Sequence, residues 1–123
     1  MQALREIRLI GTVPAGVTTV TVTAETPILG WLYAVEWKDD TLANGVDAVL
    51  SVINTPSGVD KTLLTLTDAN DDAWYQPRED RHGNTGTAAS ANDQYMIVAG
   101  TLQLAITSAV AAQTGGAIVY VFQ

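Results

Sequence analysis

Val17-Thr18-Thr19-Val20-Thr21-Val22-Thr23 alternates apolar and hydroxyl side chains with a period of two. Successive side chains of a strand point to opposite faces, and β-branched residues pack well on a pleated surface. The stretch therefore predicts a half-buried strand, with Val20, Val22 and Ala24 facing in and Thr19, Thr21 and Thr23 facing out. The same period recurs on both sides of it. Glu6 to Gly11 precedes it. Leu29 to Trp37 follows, with Trp31, Tyr33, Val35 and Trp37 on one parity and Leu32, Ala34 and Glu36 on the other. Val46 to Ile53 is apolar on both parities, as a central or covered strand is. Thr62 to Thr67, with Leu64 and Leu66 on one face, comes next, then the short Ala73 to Gln76. Tyr95 to Val98, the alternating Leu102, Leu104 and Ile106, and Ile118 to Phe122 bring the total to about eight short strands.

Turn chemistry separates these runs: Pro14-Ala15-Gly16, Glu25-Thr26-Pro27, Asp39-Asp40, Asn44-Gly45, Pro56-Ser57-Gly58, Asp68-Ala69-Asn70-Asp71-Asp72 and Gly115-Gly116. Short strands at this spacing predict an all-β fold, an antiparallel β-sandwich or jelly-roll-like barrel. Ala105 to Ala112 is rich in alanine but reads as a strand end plus loop. Residues 1–10 read as an N-terminal arm or edge strand. Glu79 to Asp93 holds no aliphatic side chain larger than alanine and reads as a long polar loop, a common place for partner contacts.

The chain has 123 residues, which predicts one domain over 1–123, and 47% are hydrophobic, enough for a real core. It has no cysteine, so disulfides, thiol nucleophiles and thiolate metal sites are excluded together. Thirteen Asp and Glu outnumber six Lys and Arg. The cations are scattered apart from the pairs Arg5/Arg8 and Arg78/Arg81, and nucleic acid is not expected as a partner, since such binding needs clustered cations. No apolar run approaches the length that crosses a bilayer, and no membrane partner is expected.

Enzyme chemistry finds little support. The one histidine is His82, within the polar stretch, and no Gly-x-Ser-x-Gly or phosphate-cradling glycine motif occurs. A non-enzymatic protein without cofactors is expected. The best chemical pattern is Asp68, Asn70 and Asp72 at alternate positions with Glu79 at the twelfth, the oxygen-ligand spacing of a calcium loop. Its sixth position is Ala73 where the turn wants glycine, and Pro77 interrupts it, so a solvated Asx-rich turn competes with a calcium site. The aromatics offer a sugar-stacking platform as a second reading, although core is the commoner role. Trp31 and Tyr33 are expected in the core, and Trp37, beside Lys38 and Asp39, is expected to be partly exposed.

Four further stretches carry a resemblance: Gly30-Trp31-Leu32-Tyr33-Ala34-Val35-Glu36-Trp37, Gly45-Val46-Asp47-Ala48-Val49-Leu50, Thr62-Leu63-Leu64-Thr65-Leu66-Thr67-Asp68-Ala69-Asn70 and Trp74-Tyr75-Gln76-Pro77-Arg78. With Gly100-Thr101-Leu102-Gln103-Leu104 and the glycine turn before the last strand, they resemble small structural proteins of tailed bacteriophages. Where that type has Tyr-Tyr-Pro-Arg, this chain carries one more residue, Gln76. The resemblance runs from about Leu29 to the end. It implies a virion component assembled in the host cytoplasm, a capsid decoration or cement protein bound to the major capsid protein or other virion proteins. It also implies a symmetric homo-oligomer such as a trimer. A tail, neck or fibre component, or a module binding host surface or carbohydrate, is the alternative. The expected protein contacts are Leu4, Arg5, Ile7 and Arg8 at the start and Arg78, Arg81, His82 and Asn84 in the polar stretch, with arginine a frequent interface anchor.

Overall fold

A computed structural model describes residues 3–82 and 85–123. In chain order the strands are β1 (Leu4–Thr12), β2 (Val20–Thr23), β3 (Ile28–Lys38), β4 (Asp47–Ile53), β5 (Lys61–Leu66), β6 (Ala73–Tyr75), β7 (Arg78–His82), β8 (Ala88–Tyr95), β9 (Ile97–Thr107) and β10 (Thr114–Phe122). All their pairings are antiparallel. The fold is all-β and sandwich-like, without barrel closure. One layer is β1-β10-β3 with β6 beside β3, and the other is β2-β9-β4-β5.

β9 belongs to both layers. Its first residues, Ile97 to Gly100, pair with Trp31 to Ile28 of β3. The remainder, Thr101 to Thr107, pairs with β4 and, over Gln103 to Ile106, with β2. The crossing falls at Gly100, whose φ of 144° lies where side chains are strained. A Cβ there would stand 2.4 Å from the Ile53 carbonyl oxygen and 2.9 Å from a Val52 methyl. Only glycine lets the strand turn this corner.

One continuous core lies between the layers. It includes Leu9, Leu32, Val35, Leu50, Val98, Leu104, Ile106, Val119 and, at full burial, Trp37. Val20, Val22 and Ala24 pack against it and Thr21 and Thr23 face out, as the alternation predicts. The regular strand starts at Val20, three residues later than the alternating stretch.

The expected placement of the aromatics is corrected. Trp37 is buried and Trp31 and Tyr33 are half-exposed, the reverse of the sequence expectation. For Trp31 and Tyr33 the cause is one residue. β3 pairs Tyr120 with Ala34 but Val121 with Leu32, so Tyr33 is a bulge. An extra residue exchanges the two faces of a strand. Upstream of it Ile28 and Leu32 are buried, and downstream Val35 and Trp37, with the small Ala34 buried opposite Tyr120. A second bulge sits in β5, where Leu50 pairs with Leu64 but Ser51 with Thr62. Leu63 and Leu66 are buried in consequence, and Leu64 only partly so.

The long polar loop expected over Glu79 to Asp93 is also corrected. β7 and β8 form a hairpin, with Arg78 opposite Tyr95, Glu79 opposite Gln94, Arg81 opposite Ser90 and His82 opposite Ala88. Backbone hydrogen bonds hold such a ribbon together without an apolar face. Ala105 to Ala112 is the end of β9 followed by a turn, as expected.

Candidate functional site

The bulge at Tyr33 builds a surface. By turning Trp31 and Tyr33 outward it places them beside the ends of β10 and β8. Cross-strand neighbours then continue the row: Leu4 pairs with Phe122, Phe122 with Trp31, and Trp31 with Ile97. Leu4-Phe122-Trp31-Ile97 is thus an apolar line across four strands. Leu29, two residues before Trp31, is 71% exposed, and Leu4 and Ile97 are about half exposed. Tyr33 meets Phe122 edge-on at 5.1 Å between ring centroids, and Tyr95 lies 6.4 Å from both. Gly30 permits the close approach of β10, since a Cβ there would stand 2.1 Å from the Phe122 carbonyl oxygen. A shallow hollow of about 310 Å³ results, lined by Leu29, Gly30, Trp31, Ile97, Phe122 and Gln123.

A second aromatic pair stands farther along the same face. Trp74 of β6 is opposite Glu36 in β3 and 62% exposed. Its indole stacks on Tyr120 at 5.4 Å and 25°. The Tyr120 hydroxyl donates to Glu36 Oε1 at 3.4 Å. Burial, and then the charges of Glu36 and Glu6, hold the Tyr120 hydroxyl above its ordinary pKa. Below this pair the face becomes charged. Arg8, Ile10, Lys38, Asp39, Asp40, Asp72 and Gly115 line a hollow of about 300 Å³. The Asp72 carboxylate accepts from the Asp39 amide at 2.9 Å and from Lys38 Nζ at 3.3 Å. Hydrogen bonding to Asp39 and Lys38 holds Asp72 below the usual carboxylate range. Hydrogen bonding to Asp72, aided by desolvation, holds Asp39 above it. Asp72 likewise raises Lys38, through its hydrogen bond and its charge.

The expected contact residues divide. Leu4 and Arg8 are exposed on this outer face, and Arg8 pairs with Glu6 at 3.3 Å. Arg5 is exposed and donates to the Gln123 side chain. Ile7 is half-buried, its side chain packed on the core. Arg78 is tied into the fold. Its guanidinium lies 4.3 Å from the Tyr95 ring centre and donates to the carbonyls of Tyr33 and Pro77. Through Tyr95 and Phe122 it nevertheless shares the face of Leu4. His82 is exposed at the end of β7, and Arg81 is placed by backbone register alone. Asn84 lies outside the described residues.

The calcium pattern does not converge. Asp68 Oδ1 accepts from the Gly45 amide, Asn70 Nδ2 donates to Asn44, and Asp72 faces Lys38. Glu79 leaves with β7 and pairs with Lys61 of β5 at 3.1 Å. β6 straightens the chain after Asp72, so the twelfth position is carried away from the first. Among the described residues no three His, Asp or Glu side chains gather as a metal site. The Asx-rich turn instead braces Asn44-Gly45 against the β5–β6 connection.

Sequence reading missed Leu29, Ile97, Tyr95, Phe122 and Tyr120 as surface residues. Their apolar character is visible in the chain, but of these only Leu29 lies on β3, whose faces the bulge exchanges. In comparisons with known proteins the chain matches no family model, no curated protein and no solved structure.

Proposed function

We propose that this protein is a non-enzymatic structural component of a phage particle, a decoration protein that docks on the head shell through the outer face of the β1-β10-β3 layer. The observation that carries the docking is the exposed line Leu4-Phe122-Trp31-Ile97 with Leu29 beside it. Contiguous apolar patches on a protein surface mark interaction sites, and aromatic residues with arginine dominate their energetics. Here Trp31, Tyr95 and Phe122 stand with Arg78. The phage setting comes from the resemblance over Leu29 to the end, and the shell as partner follows from that setting.

Co-sedimentation with empty phage shells tests the reading. Saturable binding at a fixed copy number is expected. Replacing Leu29 and Ile97 together by lysine should weaken it by more than roughly tenfold while the far-ultraviolet spectrum stays unchanged. Failure of the native chain to bind shells refutes the reading, as does shell binding by the lysine variant at full strength.

One observation favours a second reading, a host-surface or carbohydrate-binding module of a tail, neck or fibre. The exposed Trp74 indole stacked on Tyr120 beside Glu36 offers an aromatic plane with a carboxylate at its rim. A glycan screen in which Trp74→Ala abolishes a signal would support that reading over the first.

A further inference from the structure

The free edges of the two layers are not alike. β2 is four residues long and β6 three. β5 is bulged against β4 and begins with Lys61. Short, bent or interrupted edges are the usual protection, because the unpaired N–H and C=O groups of an edge template another strand. β1 is nine residues long, contains no proline and keeps unbroken register with β10. Among the described strands it pairs with β10 alone. Its only safeguard is charge, and what the charges do depends on register.

Backbone parity restricts that register. Ala3 and Gln123 exchange reciprocal backbone hydrogen bonds of 3.0 Å. In an antiparallel ladder such pairs recur at every second residue. Odd-numbered residues of β1 therefore direct their backbone groups at β10. Leu4, Glu6, Arg8 and Ile10 direct theirs at the open edge. An added antiparallel strand must pair at these even positions. A second copy of β1, related by a two-fold axis, meets the condition in few ways. Centred on Arg8, it sets Arg8 against Arg8 and Glu6 against Ile10. Centred on Glu6, it sets Glu6 against Glu6. Centred on Ile7, it sets Glu6 against Arg8 twice and Leu4 against Ile10 twice. Opposite charges and apolar pairs facing across strands stabilise a sheet, and like charges directly opposite destabilise it.

We propose that β1 pairs antiparallel with β1 of a second copy of this chain, centred on Ile7, so that one sheet runs through both protomers. Glu6 and Arg8 already pair within the strand at 3.3 Å. In the dimer the four side chains alternate in sign around a square, with Leu4 and Ile10 closing both ends. The interface is isologous, so each favourable pair occurs twice. Addition of a strand to an exposed edge draws its affinity from main-chain hydrogen bonds and its specificity from such side-chain pairs. The dimer does not depend on shell docking, which is tested at Leu29 and Ile97 on β3 and β9.

Sedimentation equilibrium of the full chain over a concentration series is the test. A reversible dimer is expected. Arg8→Glu places like charges opposite each other twice and should weaken it by roughly 30-fold. Glu6→Arg should do the same. The double exchange E6R/R8E restores the alternation and should return the dissociation constant to within about threefold of the native one. Both side chains are exposed, so a native circular dichroism spectrum and melt are expected for all three variants. A native chain that stays monomeric, a dimer indifferent to Arg8→Glu, or a double variant as weak as the single ones overturns the proposal.

Discussion

Trp37→Phe tests the bulge most directly. Trp37 is fully buried, and its indole N–H donates to the Ala69 carbonyl at 3.0 Å. Phenylalanine has no donor, so a buried carbonyl loses its partner, at a cost of about 1–3 kcal/mol. The smaller ring also gives up apolar burial and leaves a void beside Val35 and Leu50, costing roughly 1–2 kcal/mol more. Together these come to about 3 kcal/mol, a fall in Tm of roughly 10–15 °C for a domain of this size. Trp31→Phe and Trp74→Phe change half-exposed or exposed side chains and should each stay within about 0.5 kcal/mol. Urea titrations followed by far-ultraviolet circular dichroism, at one protein concentration throughout, compare the three variants. A loss for Trp31→Phe equal to that for Trp37→Phe would refute the exchange of faces at Tyr33, and with it the surface built on that exchange.

Four other outcomes are expected. Gly100→Ala forces a Cβ against the Ile53 carbonyl in a strained backbone region, and should cost about 2–4 kcal/mol in thermal or urea unfolding. Arg78→Ala removes the guanidinium from Tyr95 and from two carbonyls. It should cost about 1 kcal/mol and speed amide exchange in β7 and β8 ahead of the rest of the molecule; uniform exchange would count against that anchoring. On acidification, carboxyl NMR should find Asp39 protonating at higher pH than Asp72. Asp72, held low, contributes stability above its unfolded pKa that is lost as pH falls through its folded value. Asp39, held high, contributes below its unfolded pKa and loses that as pH rises through its folded value. The two oppose each other in the melt, so the order of protonation is the readout. Calcium added to millimolar level, or a chelator, should leave Tm unchanged within about 1 °C, because Asp68, Asn70, Asp72 and Glu79 face different partners; a clear rise with calcium would restore the ion site.

Much of the architecture was legible because period-two alternation is written residue by residue, as in Val20, Val22 and Ala24. What was not legible has two physical sources. A bulge shifts every later side chain to the opposite face yet has no chemical signature here, since Tyr33 differs in no evident way from its neighbours. Parity therefore placed Trp31 inside with Val35, and the exposed aromatic face escaped notice; Trp37 was placed near the surface by the charged Lys38 and Asp39 beside it. The β7–β8 hairpin shows no apolar alternation, so Glu79 to Asp93 reads as loop whatever its backbone does. Leu4 and Arg8 drew attention in the sequence because a first strand with mixed charge stands out, and both side chains are exposed. Ile7, one residue from either charge, lies on the inward face of the same strand.

β9 has a consequence for how the protein opens. It supplies ladder hydrogen bonds to β3 through Ile97 to Gly100 and to β4 and β2 through the rest of its length. Neither layer can detach as a unit without tearing a strand that the other also holds. Partial unfolding is therefore confined to what hangs outside this shared ladder, namely the β7–β8 hairpin and the open edges. The remainder gives way in one cooperative step, so that amides of Leu32 and Leu104, on opposite layers, exchange with solvent at a common free energy.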